Sequence, residues 1–200
     1  MTDRMPSDVY PESGFRLKLP DRAAMEPEAQ RLFDYFADPN SGSYAGLWGP
    51  GGIRLHSPKL ALTMQAHNNY LRRDAGIDRK VRELCILATA RELDSQFEWT
   101  AHEPEALKEG IAPATIDIVR HRRPVTGLGE TEQVVILLGR EMFGDRRVTK
   151  ETFARALKLF GARMLVDLVA VMGNYACTAA LLTAFDMQLR PGKQPLLPAG

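Results

Sequence analysis

Cysteine is scarce in this 200-residue chain: Cys85 and Cys177 are the only two, far apart and without C-x-x-C spacing. That excludes a disulfide framework and a thiolate metal site, and it suits a reducing cytoplasm. The four histidines show neither H-x-H nor H-E-x-x-H spacing, so no metal site is expected. The glycine-rich stretch SGSYAGLWGPGGIRLH lacks G-K-[ST] and reads as a connecting loop rather than a phosphate cradle. Net charge is nearly absent at +1, so nothing steers the chain toward nucleic acid or an anionic membrane. The same weak repulsion leaves self-association easy. Charges and prolines fill MTDRMPSDVYPESGFRLKLP, where a signal peptide would have an apolar core, so a cytoplasmic protein is expected. One run without charge, LVAVMGNYACTAALLTAF from Leu168 to Phe185, approaches the length of a membrane span. It holds Gly173, Asn174 and two threonines and lacks basic flanks. It reads as a helix buried centrally or packed against a partner subunit.

What is present is the balance of a soluble globular protein, 44% hydrophobic with 26% charged. The length suits one domain with a substantial core. Helix punctuation recurs along the chain. Ser57-Pro58 opens a helix to about Arg73, Asp78 caps RKVRELCILATAREL, and Ser95 opens the next, which stops at Gly110. Pro113 and Thr131 start two more. Thr149 caps another through Phe160, and a long helix over 162–187 follows. No segment sustains strand alternation. The expectation is an all-α, single-domain bundle of seven or eight helices over residues 26–190. Residues 1–25 are expected as an extended arm and 191–200 as a tail. The basic run Arg120–Arg123 closes a helix, where cations complement the exposed carbonyls.

The chemistry concentrates in SQFEWTAHEPEALKEG, Ser95 to Gly110. Ser95-x-x-Glu98 has the form of a capping box, in which the Glu98 carboxylate returns to the Ser95 amide and is purely structural. Alternatively, Glu98 and His102 share one helix face four residues apart, the arrangement that tunes an imidazole for acid–base work. Pro104 removes the amide that would bond Thr100, one turn around His102. Glu83 on the preceding helix supplies a second carboxylate if the two helices are antiparallel. His56 is a candidate lining residue of the same pocket or else a solvent-facing loop residue, and Tyr175 of the long helix either offers its hydroxyl there or packs as a buried tyrosine.

VRELCILATARELDSQFEWTAHEPEALKEGIAP resembles the core of the carboxymuconolactone decarboxylase family, which shares its fold with alkylhydroperoxidase D. HSPKLALTMQAHNNYLR and MGNYACTAALLTAF are similar to its flanking helices, so the resemblance covers roughly residues 57–187. It implies the alkylhydroperoxidase D-like all-α fold and a homo-oligomer, trimer or hexamer. It also implies a cofactor-free enzyme acting on a small carboxylated lactone or ring. The peroxidase branch carries a glutamate, a C-x-x-C pair and a histidine, which fall here on Glu83, Ser95 with Glu98, and His102. With a serine and a glutamate where the thiols stand, the disulfide intermediate cannot form. The Glu-Trp…His form is similar to the decarboxylase-like branch. In that chemistry, loss of CO₂ leaves electrons that spread into a conjugated lactone, and a carbon is then protonated. For that chemistry His102 is the candidate general acid/base, with Glu98 orienting it or sharing its proton and Glu83 as the second carboxylate. Trp99 is the apolar wall, with Ser95, His56 and Tyr175 around the substrate. Two other readings stand: a non-catalytic oligomeric or ligand-binding protein of the same fold, and a redox protein using Cys85 or Cys177.

Overall fold

In the computed structural model, residues 5–41, 43 and 45–198 are described; the first four residues of the expected arm, Gly42 and Tyr44 of the glycine-rich loop, and the last two residues of the tail lie outside them. Eight α-helices follow in order: α1 Pro27–Ala37, α2 Pro50–Arg54, α3 Pro58–Asn69, α4 Arg79–Glu92, α5 Gln96–Lys108, α6 Pro113–Arg120, α7 Glu130–Gly139 and α8 Lys150–Ala184. Among the described residues no strand forms; a single antiparallel bridge joins Tyr10 and Phe15. The fold is all-α, as the helix punctuation predicts.

Two units divide the chain. One holds residues 1–68 with 180–193, and the other residues 69–179 with 194–200. In the first unit the opening residues turn back on themselves. The Arg16 amide bonds the Phe185 carbonyl, and the Gln188 amide bonds that of Gly14. Phe15 is fully buried. The stretch expected as a loop contains the short helix α2, started by Pro50, whose missing amide suits a first turn.

The second unit is built around α4. Asp78 caps it by accepting the Val81 amide at 3.0 Å. Every residue from Arg82 to Arg91 is buried, so the helix is enclosed on all sides rather than along one stripe. Helices α5, α6 and α7 pack around it. At the α4–α7 crossing Gly139 lets the backbones meet: a Cβ there would stand 2.8 Å from that of Ala88. Two π turns, Tyr70–Asp74 after α3 and Arg140–Gly144 after α7, each close with an i→i+5 bond, Ala75 to Tyr70 and Asp145 to Arg140.

Helix α8 starts on a buried acid that the sequence reading passed over. Glu141 accepts the Thr149 amide at 2.6 Å and the Thr152 hydroxyl at 2.6 Å, while Thr149 Oγ1 accepts the Thr152 amide. The expected break near Phe160 falls at Gly161, whose φ of 70° and ψ of 166° are open to glycine almost alone. By length and composition α8 is apolar enough to cross a membrane, with 56% of its most apolar window buried inside the fold.

Candidate active site

The turn from α4 to α5 sets the site. Asp94 takes a left-handed φ of 48°. The Asp94 amide then bonds the Arg91 carbonyl, and the Ser95 amide bonds that of Ala90 at 2.8 Å, the paired bonds of a Schellman ending. This corrects the capping-box expectation. The amide that Glu98 was to satisfy is already taken by α4, and Ser95 makes no side-chain cap bond to α5. The Ser95 amide is therefore satisfied by α4.

Folding α5 back along α4 brings Glu83 to His102. His102 Nδ1 lies 2.7 Å from Glu83 Oε2, and Nε2 lies 3.5 Å from Glu98 Oε2. All three are buried: Glu83 at 1%, Glu98 at 5% and His102 at 3% exposure. Burial pushes the Glu83 carboxyl up, but the His102 hydrogen bond and the charges of His102, Arg72 and Arg82 outweigh it and hold it below its ordinary value. An ionised Glu83 only accepts, so His102 Nδ1 carries the proton donated to it. Nε2 is the nitrogen that faces Glu98.

Two arginines complete the surroundings. Arg82, 6% exposed, donates from Nε and Nη2 to Glu83 Oε1 at 3.4 and 3.3 Å. Arg72, in the first π turn, donates from Nη1 to the Tyr175 hydroxyl at 3.0 Å. The Tyr175 ring stands edge-on to His102, with centroids 5.1 Å apart. Burial raises the Tyr175 hydroxyl far above its ordinary value, with the Arg72 charge opposing. Neither arginine was singled out from sequence. The signal available was the adjacent Arg82-Glu83 pair running into the apolar stretch Leu84–Ala88 of α4, since a buried cation needs a partner.

The other expected residues are distributed differently. Trp99 is fully buried in the core cluster, and its indole N–H donates to Glu103 Oε2 at 2.6 Å. The Arg120 guanidinium lies 5.7 Å from its ring and pairs with Glu103. Trp99 therefore sits one residue around the helix from Glu98. Ser95, 6% exposed, lies at the α5 entrance. His56 belongs to the first unit, where it is exposed and stands edge-on to Phe15 at 6.2 Å. The turn closing α2 leaves it toward solvent. In the basic run, Arg122 pairs with Glu92 and Arg123 with Asp117.

Cys85 and Cys177 are both free. Burial, then the Glu83 charge, pushes the Cys85 thiol up to about 12, which suppresses the reactive thiolate. Among the described residues no group of His, Cys, Asp or Glu is arranged to hold a metal ion. The two carboxylates meet opposite nitrogens of one ring, so they do not converge on a point.

No curated protein matches the chain. Among solved structures the fold is similar to the alkylhydroperoxidase AhpD core of an uncharacterized peroxidase-related protein from Ralstonia eutropha JMP134. The TM-score is 0.67 at 16% identity, over 89% of this chain and 93% of that one. Residues 58–138, which carry Arg82, Glu83, Glu98 and His102, match the model of the carboxymuconolactone decarboxylase family.

Proposed function

We propose that the protein is a cofactor-free lyase that moves a proton through His102 on a small carboxylated lactone or ring-derived catabolite. The observation that carries this is the buried imidazole held by carboxylates at both nitrogens, 2.7 Å from Glu83 and 3.5 Å from Glu98. Glu83 fixes the tautomer with the proton on Nδ1. Nε2 and Glu98 then flank the position of a reacting atom, one able to take a proton and the other to share it. A carbanion left by loss of CO₂ would be protonated from this pair. Tyr175 and Arg72 offer a hydroxyl and a positive charge beside the ring, suited to an oxyanion or a carboxylate.

A thiol-peroxidase reading has less support: Ser95 and Glu98 stand where the redox thiols would be, and Cys85 is buried with its thiol raised. A role for Glu98 purely as a helix cap is disfavoured by the Ser95 amide, which is bonded to Ala90; a ligand-binding protein of the same fold is the alternative reading. The cytoplasm is the proposed compartment. A homo-oligomer, trimer or hexamer, is proposed as the working form, supported by the exposed apolar residues Val166 and Val169 on α8, at 67% and 36% exposure. The test is a panel of carboxylated lactones and β-keto acids assayed for CO₂ release, with wild type and His102→Ala side by side. CO₂ release that depends on His102 is the expected result. Consumption of substrate without CO₂ would keep the proton-transfer site and remove the decarboxylase assignment.

A further inference from the structure

Arg82 has an arrangement that the proposed chemistry does not itself require. Its guanidinium is buried and divided between two structures: Nε and Nη2 face Glu83 Oε1, and Nη1 donates to the Arg72 carbonyl at 3.0 Å. The second acceptor belongs to the π turn Tyr70–Asp74, among the end carbonyls that a helix leaves without an intrahelical donor. That same turn carries the Arg72 side chain to the Tyr175 hydroxyl, and Tyr175 stands against His102. A buried ion pair adds little stability compared with hydrocarbon of the same shape, so stability alone does not account for it.

We propose that Arg82 is the positioning residue of the site, one guanidinium that fixes both the Glu83 oxygen facing His102 and the π turn that brings Arg72 to Tyr175. The inference rests on the reading of His102 as the proton-transfer residue only where it speaks of catalysis; the geometry it predicts is testable without a substrate. By taking Oε1, Arg82 leaves Oε2 as the oxygen available to Nδ1, and its charge adds to those of His102 and Arg72 that hold the carboxylate ionised. By holding the Arg72 carbonyl, it fixes the register of the turn. Around Glu83 stand His102 and Glu98 from α5, Arg72 from the π turn, Tyr175 from α8, and Arg82 and Cys85 of α4 itself.

The test compares Arg82→Met and Arg82→Lys with wild type by carboxyl-carbon and imidazole-nitrogen NMR, together with hydrogen exchange at the Ala75 amide that closes the π turn. In Arg82→Met the Glu83 titration midpoint moves up, because one of the cations that hold it down is gone. Exchange at the Ala75 amide also speeds up. In Arg82→Lys the charge is kept and the Glu83 midpoint largely returns. One ammonium cannot serve both ends with the guanidinium's fixed fork, so the Ala75 amide still exchanges faster. On a substrate that wild type consumes, kcat falls about 10–100-fold while KM changes less, as expected for misplaced rather than missing groups. Should Arg82→Met not fold, Arg82→Lys decides: wild-type exchange at Ala75 with wild-type kcat overturns the proposal. In a folded Arg82→Met, an unmoved Glu83 midpoint overturns it as well. If the NMR changes appear but no substrate depends on His102, the positioning role stands and the proton-transfer reading falls.

Discussion

Glu83 and Glu141 are both buried in the second unit, at 1% and 8% exposure, yet their oxygens face different kinds of partner. Glu141 accepts from the Thr149 amide and the Thr149 and Thr152 hydroxyls, groups that do not titrate near neutrality, and it ties down the start of α8. Glu83 accepts from Arg82 and from an imidazole, a group that can gain or lose a proton at neutral pH. A buried carboxylate is therefore not by itself a sign of chemistry. What distinguishes the two is whether the donor can change its protonation state and whether a second acid, here Glu98, waits on its far side.

The sharpest way to break this comparison is to neutralise each acid. Glu83→Gln presents an amide where Nδ1 needs an acceptor, which permits the wrong tautomer. Turnover should fall by ~10²–10⁴ on any substrate the wild type consumes. Glu141→Gln should leave turnover per folded molecule unchanged. Steady-state assays on both variants check this. Truncating the structural acid acts on stability instead: Glu141→Ala strands the Thr149 amide and should lower unfolding free energy by about 1–3 kcal/mol in denaturant titration.

Acid separates Glu83 further. Its carboxyl lies below its ordinary value of 4.5 in the fold, so its stabilising contribution is complete above that pH. It is lost as pH falls through the folded-state value. Denaturant midpoints measured from pH 7 down to pH 3 should drop less steeply in Glu83→Gln than in wild type.

The smallest effect contrasts two helix starts. Thr149→Ala removes a working cap bond to the Thr152 amide and should cost ~1 kcal/mol. Ser95→Ala, at a position with no side-chain cap bond, should cost clearly less. Equal costs would mean that the Ser95 hydroxyl caps α5 in solution after all.

These residues also show what a sequence exposes and what it hides. Asp78, Pro113 and Thr149 were legible as helix starts because each acts through atoms within a few residues. That Glu83 reaches His102 was legible only as a condition on antiparallel helices; the expected partner of His102 was Glu98, and the short turn before α5 instead brings Glu83 nearer, at 2.7 Å against 3.5 Å. The capping box at Ser95 was misleading. A left-handed Asp94 hands the Ser95 amide to α4, and aspartate takes that conformation too seldom to announce it as a glycine would. Arg82 and Arg72 were missed because their roles depend on α4 being buried all round and on a π turn, both products of tertiary packing. Helix α2 was hidden by its glycines, which fit a loop as well as a close-packed turn.

The central claim is that His102 moves the proton. It is tested most directly by single-turnover consumption of a carboxylated lactone or β-keto acid by wild type and by His102→Ala at matched helix content. The account predicts a fall of ~10²–10⁴ in the rate of the chemical step. An unchanged rate in His102→Ala would contradict it.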